Sequence, residues 1–238
     1  MDYASSEVLE GLKEFDTATL FNAVIESQGA TQGGMELEGQ GGVPQNYTGP
    51  EIRSLLPELG RAVGYAITAE VTTNDPDSVP IPWDDYYIAM ENTPTQMIAV
   101  MKDVDSQPGR GASFGDGMAA RHKALGVTGA IVDGSVRDLM GIKAVGLPMW
   151  GCGLVPGHGV FNLLRINESI TAGQLRIKPG ELLIADMDGC VKVPEGMDPE
   201  VILQKAHEIR DREKEMFDFV NKSGFTMEKM REFQSRQR

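Results

Sequence analysis

GDGMAARHKALGVTGAIVDGSVRDLMGIKAVGLPMWGCG, residues 115–153, switches its hydrophobic period in a fixed order. Residues 117–126 have helical spacing and stop at Gly126. GAIVDG (129–134) is a short apolar run suited to a buried strand, residues 135–146 return to helical spacing, and 147–153 read as a strand again. Just upstream, MIAVMKDV (97–104) is another apolar run, joined to the quoted stretch by the glycine-rich loop PGRGASFGDG (108–117). Strand, helix, strand, helix, strand is the α/β signature. It sets Asp116 at the start of one helix and Arg137-Asp138 at the start of the next, both just past the carboxyl end of a strand. Ligands gather there in such sheets.

Working outward, residues 61–73 read as a strand. The prolines of DPDSVPIPWDDYY (75–87) break regularity before a helix around Tyr86 to Thr93. Upstream, residues 5–28 carry two short amphipathic helices with Asp16 as a cap between them. Gly29 to Glu51 is dense in Gly and Gln and reads as a long loop inserted into the domain. After Gly159 the pattern turns to β, with runs at Leu182–Ala185 and Cys190–Val193 around an Asp188-Gly189 turn. Asp198-Pro199 supplies a cap and a first-turn proline for a helix from Glu200 to about Asn221. The expectation is one α/β domain over residues 1–238, with a loop insertion at 29–51 and a helical tail at 198–238.

Composition narrows the chemistry. Twenty-two basic and 35 acidic residues give a net charge of −13, a poor match to a nucleic-acid phosphate backbone. No run approaches the roughly 20 apolar residues of a membrane span, and the start Met1-Asp2-Tyr3 lacks a signal-peptide pattern, so a cytoplasmic location is expected. Cys152 and Cys190 are too few for a disulfide framework or a four-thiolate zinc site, and both are expected to be buried thiols. His122, His158 and His207 form no zinc motif. Catalysis, if present, must rest on carboxylates, arginine and backbone amides, with a hard metal ion as an optional addition.

One constellation is specific. Asp133-Gly134-Ser135-Val136-Arg137-Asp138 follows Asp116 so that twenty residues separate Asp116 from Arg137. Taken alone, DG followed by RD is also an ordinary strand-to-helix turn. With Asp116 and its flanks, GDGMAARHKALGVTGAIVDGSVRDL resembles the D-x20-R-D core of the RraA-like family, which includes class II pyruvate aldolases such as 4-hydroxy-4-methyl-2-oxoglutarate aldolase and the regulator of ribonuclease E activity A. The likeness runs from Phe15 to about Phe219, through GLPMWGCGLVPGHG and PGELLIADMDGCVKVP, and leaves out Gly29 to Glu51 and the last dozen residues.

The resemblance implies a layered β/β/α sandwich assembled as a homotrimer or hexamer, with active sites between subunits. Gly115, Asp116, Gly117 and Met118 would bind the substrate carboxylate, Arg137 the keto oxygen, and Asp138 a magnesium, manganese or similar divalent ion. Elementary chemistry agrees. Backbone amides at a helix start suit an anion, the fixed guanidinium fork suits a developing enolate oxygen, and Mg²⁺ accepts a single carboxylate while keeping waters. The chain departs from the family at Gly141, where many of its aldolases carry an acid three positions after the metal-binding aspartate; Asp133 is a possible substitute.

On the C-terminal helix, Ile202, Ala206, Ile209, Met216, Phe217 and Val220 fall on one apolar stripe at 100° per residue, with Glu213 in its middle. An ionised glutamate there needs a partner or a use, which singles out Glu213 over Glu215. The family has a glutamate in this region that reaches a neighbouring subunit's site; an interface ion pair is the alternative for Glu213. Lys123 and Lys143 lie on helices with one wet face, which does not suit a Schiff-base lysine, and His158 is expected on a surface loop, with the pocket lining as the alternative.

The leading function is therefore a metal-dependent lyase releasing pyruvate from a 4-hydroxy-2-oxo acid, with oxaloacetate decarboxylation as a related activity. Catalytic roles fall to Asp116, Arg137 and Glu213. The alternatives are a non-catalytic RraA-type regulator of a ribonuclease assembly, or another reaction on a carboxylate substrate.

Overall fold

The computed structural model describes residues 3–29 and 46–236. The expected insertion at 29–51 therefore lies largely outside the described residues. Its last residues do not form a loose loop: Thr48 donates its N–H to the Cys190 carbonyl at 2.9 Å, and Asn46 accepts from Lys192 at 2.8 Å.

Two helices open the chain, α1 (Ser6–Lys13) and α2 (Thr17–Ser27), each started by a side-chain cap, from Ser5 to the Val8 N–H and from Asp16 to the Thr19 N–H. Then follow β1 (Arg53–Ser54), β2 (Ala62–Thr72), α3 (Trp83–Glu91), β3 (Met97–Asp103), β4 (Ala112–Phe114), α4 (Asp116–Ala124), β5 (Val127–Val136), α5 (Leu139–Val145) and β6 (Met149–Leu154). The β-rich part supplies β7 (Asn162–Ile166), β8 (Ile170–Ala172), β9 (Leu175–Ile177), β10 (Leu182–Asp186) and β11 (Gly189–Val193). Helices α6 (Pro199–Val220) and α7 (Met227–Arg236) end the chain.

The main sheet runs β1-β6-β5-β3-β2-β10-β11. Its centre, β6, β5, β3 and β2, is parallel, and β1, β10, β11 and β7 join antiparallel. Both faces are covered, so the central strands read as unbroken apolar runs. In β3, Met97, Ala99 and Met101 face α3, α4 and α5, whereas Ile98 and Val100 face the β8–β9 hairpin and Trp150. Val63 and Tyr65 of β2 pack with α1, α2 and α6. This is the layered α/β arrangement expected, as a single domain.

Four local expectations differ. The segment 112–114, read as loop, is a short strand, and β5 runs on through Val136 where helix was expected, because Ser135 and Val136 are held by pairs to β4 and β6. Cys190 is buried, but Cys152 is exposed. The apolar stripe of α6 is buried only at Ile202, Ala206 and Ile209; beyond them Phe217 and Val220 are exposed, because α6 outruns the body it packs on.

Behind α4 lies a ring cage. His122 is fully buried against Tyr86, Tyr87 and Phe114 at centroid distances of 5.5, 5.7 and 4.8 Å. Its Nδ1 sits 2.8 Å from the Met118 carbonyl, which accepts its proton, while Nε2 has no hydrogen-bond partner among the described residues. Burial, reinforced by Arg121, pushes the imidazole down to about 4 against the upward pull of the Met118 bond. A histidine in the unfolded chain protonates near 6.5. The stabilisation from this neutral ring is therefore complete above about pH 6.5 and is lost as pH falls toward 4, amounting to about 2 kcal/mol at pH 5. His122→Phe, which keeps a ring in the cage, is expected to flatten the fall in thermal stability between pH 7 and pH 5. A fall as steep as in the parent protein contradicts this role.

Candidate active site

The two halves of the motif meet through β4. Ala112 and Phe114 pair in parallel with Ser135 and Val136 at the end of β5, and the Arg137 N–H donates to the Phe114 carbonyl at 2.9 Å. Gly115-Asp116 and Arg137-Asp138 thus leave adjacent strands side by side. The join is close: a Cβ added at Gly115 would lie 3.0 Å from Asp138 Oδ2 and 3.4 Å from Arg137 Nε.

Helix α4 begins at Asp116 with Gly115 as its cap, no side chain caps it, and its first intrahelical bond runs from the Ala119 N–H to Gly115. The amides of Asp116, Gly117 and Met118 consequently have no acceptor within the helix. Gly117 leaves open space beside them. A carboxylate fits there, favoured also by the helix dipole.

Asp138 caps α5 in the left-handed region, φ 56° and ψ 39°, and makes no side-chain cap bond. Such a backbone in a non-glycine residue costs about 1 kcal/mol or more and concentrates at functional sites. Here it leaves the carboxylate free to turn into the cleft, where Oδ2 lies 3.2 Å from Arg137 Nε. Ala112, Phe114, Gly115, Gly117, Met118 and Phe161 complete a cleft of about 250 Å³ with Asp116, Arg121, Arg137, Asp138 and His158.

Of the residues singled out in the sequence, Gly115, Asp116, Gly117, Met118, Arg137 and Asp138 converge on this cleft. Glu213 does not reach it within one chain: it lies on α6, which packs on α1 and α2, and its nearest ion-pair partner is Arg210 at 4.0 Å. Asp133 faces the opposite side of the sheet, where it pairs with Lys102 at 2.6 Å and accepts from the Gly173 N–H. It cannot replace the missing acid. Lys123 binds the carbonyls ending α5 and Lys143 pairs with Glu58, so neither lines the cleft. His158 is an exposed loop residue as expected, yet the loop brings it to the cleft wall.

Sequence reasoning missed Arg121 and Phe161. Arg121 had a signal, since it lies four residues after Gly117 and so one turn along the same helix face. Phe161 had none: its left-handed backbone, φ 56°, and its stacking on Trp83 at 4.7 Å depend on the fold.

Gly141 has a physical reason. A Cβ there would collide with the Cβ and carboxylate of Asp116, which overlies it. The space a side chain at 141 would need already holds an acid carried by α4.

A family model described as RraA-like, Aldolase/RraA, matches residues 17–192, from α2 into β11. The chain belongs to this family. The RraA-like family takes in both aldolases and RraA-type regulators. A protein of Halalkalibacterium halodurans named "Putative 4-hydroxy-4-methyl-2-oxoglutarate aldolase" is 32% identical over 152 residues, covering 63% of this chain and 68% of its own. A crystal structure from Pseudomonas syringae pv. tomato superposes with a TM-score of 0.70 at 22% identity, covering 97% of this chain and 100% of that one. Streptomyces coelicolor RraAS2, described as an unusual member of the RNase ES inhibitor RraA family, gives 0.65 at 22% identity, covering 90% and 97%. At such identities the two structures establish the RraA-like fold alone.

Overpacking of this kind costs about 1–3 kcal/mol. Gly141→Ala is expected to destabilise the protein despite alanine's better helix propensity, whereas Gly141→Ala with Asp116→Gly should be more stable than the two single changes sum to. Additive denaturation energies contradict the contact.

Proposed function

We propose that the protein is a divalent-metal-dependent lyase that cleaves a 4-hydroxy-2-oxo acid and releases pyruvate, with oxaloacetate decarboxylation through the same enolate. The observation that carries this reading is the convergence of the α4 amides, Arg137 and Asp138 on one cleft.

The amides of Gly117 and Met118 bind the substrate carboxylate, and Arg137 faces the 2-keto oxygen. Asp138, with Asp116 beside it, offers the hard oxygen donors that suit Mg²⁺, which needs only one or two carboxylates and keeps its waters. No group of three His, Cys, Asp or Glu side chains placed to hold a metal occurs among the described residues of one chain. An ion held there would supply Lewis-acid polarisation of the keto group. Asp116 positions the water or base that takes the 4-hydroxyl proton. The C3–C4 bond then breaks as the 4-oxygen becomes the carbonyl of the released fragment, the bond's electron pair enters the pyruvate enolate, and Arg137 stabilises the charge that develops on the enolate oxygen. Protonation at C3 gives pyruvate.

The reading includes assembly as a homotrimer or hexamer, with Glu213 reaching the cleft of a neighbouring subunit. The exposed apolar end of α6 beyond Ile209 supports it.

Pyruvate release from 4-hydroxy-4-methyl-2-oxoglutarate should require Mg²⁺ or Mn²⁺ and vanish with Asp138→Ala. Arg137→Lys should lower kcat on the order of 10²-fold or more, because an ammonium lacks the planar fork. Full turnover of Asp138→Ala in chelator defeats the metal assignment, and a near-normal Arg137→Lys defeats the enolate role. Mixed Glu213→Gln and Asp138→Ala subunits should recover part of the activity each lacks; no recovery after confirmed subunit exchange excludes the shared site.

A further inference from the structure

Two features of the cleft are not used by the chemistry above. Arg121 lines it one turn beyond the α4 amides, about 6 Å along the helix axis. Its guanidinium lies over the Tyr87 ring at 5.8 Å from the centroid, and no carboxylate among the described residues is within ion-pair reach of it. Arg137, by contrast, already pairs with Asp138. The cleft wall therefore carries, in Arg121, an exposed guanidinium set over an aromatic ring and without a carboxylate partner among the described residues.

Phe161 supplies an apolar part of the same wall. Its ring stacks on Trp83 at 4.7 Å and an interplanar angle of 16°, and its backbone is held in the left-handed region, where a bulky residue is an outlier that the surroundings must enforce. Trp83 and Tyr87 stand four apart on α3, on one helix face, with ring centroids 6.3 Å apart. One helix thus backs both the apolar plate and the cation. The Ile81 N–H, donated to Leu163 at 2.8 Å, ties the start of α3 to β7 just beyond Phe161.

We infer that Arg121 and Phe161 form a distal subsite: Arg121 binds a second carboxylate on the far end of the substrate, and Phe161 packs against the carbons between. Arg121 is then the residue that selects oxo diacids over oxo monoacids. This rests on the reading of the cleft as a 2-oxo acid site. A guanidinium restrained by an aromatic face loses little freedom on binding and presents its fork to a planar carboxylate.

Equilibrium binding of two unreactive probes of equal chain length separates the possibilities: 2-oxoglutarate, with a distal carboxylate, and 2-oxopentanoate, with a methyl group in its place. The parent protein, titrated by calorimetry in Mg²⁺ buffer, should bind 2-oxoglutarate at least about 10-fold more tightly, as expected for one charge-assisted hydrogen-bonded pair. Arg121→Met should erase that preference while keeping its affinity for 2-oxopentanoate within about twofold, and Arg121→Lys should retain part of it. Equal binding of both probes by the parent, or an undiminished preference in Arg121→Met, overturns the subsite and leaves the oxo acid reading standing. Loss of both probes in Arg121→Met also overturns it, since a selective role cannot abolish the monoacid. Binding of neither probe by the parent defeats the oxo acid reading itself, and the subsite with it.

Discussion

The site depends on a single strand pairing. The three residues of β4 lie parallel to the last residues of β5, Ala112 against Ser135 and Phe114 against Val136, and the bond from the Arg137 N–H to the Phe114 carbonyl continues the pairing. Because β4 runs directly into α4 and β5 directly into Arg137-Asp138, this pairing sets the free amides of a helix start beside a guanidinium and a carboxylate. Slippage by one residue would turn every side chain to the other face of the sheet. The twenty residues between Asp116 and Arg137 are the length of one helix and one strand returning to the same end of the sheet, which is why the spacing carries information.

Local strain and close packing then hold what the pairing brings together. Asp138 and Phe161 both sit in left-handed backbone, and both line the cleft. Each conformation is enforced by neighbours: Asp138 between the end of β5 and the start of α5, Phe161 by its stack on Trp83. The absence of a side chain at Gly141 belongs to the same economy of space, since Asp116 occupies the volume above it. The aromatic cage around His122 supports the inner side of α4, so the helix that presents its amides to the cleft is anchored on its buried face.

Much of this was legible in the sequence. The parallel centre announced itself because strands buried on both faces are unbroken apolar runs, as in Met97–Met101 and Ala130–Val132, separated by helical periods. Arg137, Asp138 and Asp116 were found because strand ends mark ligand positions in such sheets and because their spacing resembles a family pattern. Residues 112–114 escaped because three residues flanked by glycines carry no period. Phe161 escaped because a left-handed phenylalanine has no local signature. The α6 stripe misled past Ile209: periodicity reports which residues share a helix face, not how far a neighbouring element extends to cover it. Glu213 on that stripe lies away from the cleft within one chain, beside Arg210.

The central claim is that the α4 amides and Arg137 bind the two ends of a pyruvyl group. A crystal structure of the protein with pyruvate and Mg²⁺ tests it most directly. The account predicts the pyruvate carboxylate within hydrogen-bond distance of the Gly117 and Met118 amides, the keto oxygen facing the Arg137 guanidinium, and the ion on the Asp138 carboxylate. Pyruvate bound elsewhere, or bound in the cleft with Arg137 turned away from the keto oxygen, would contradict it.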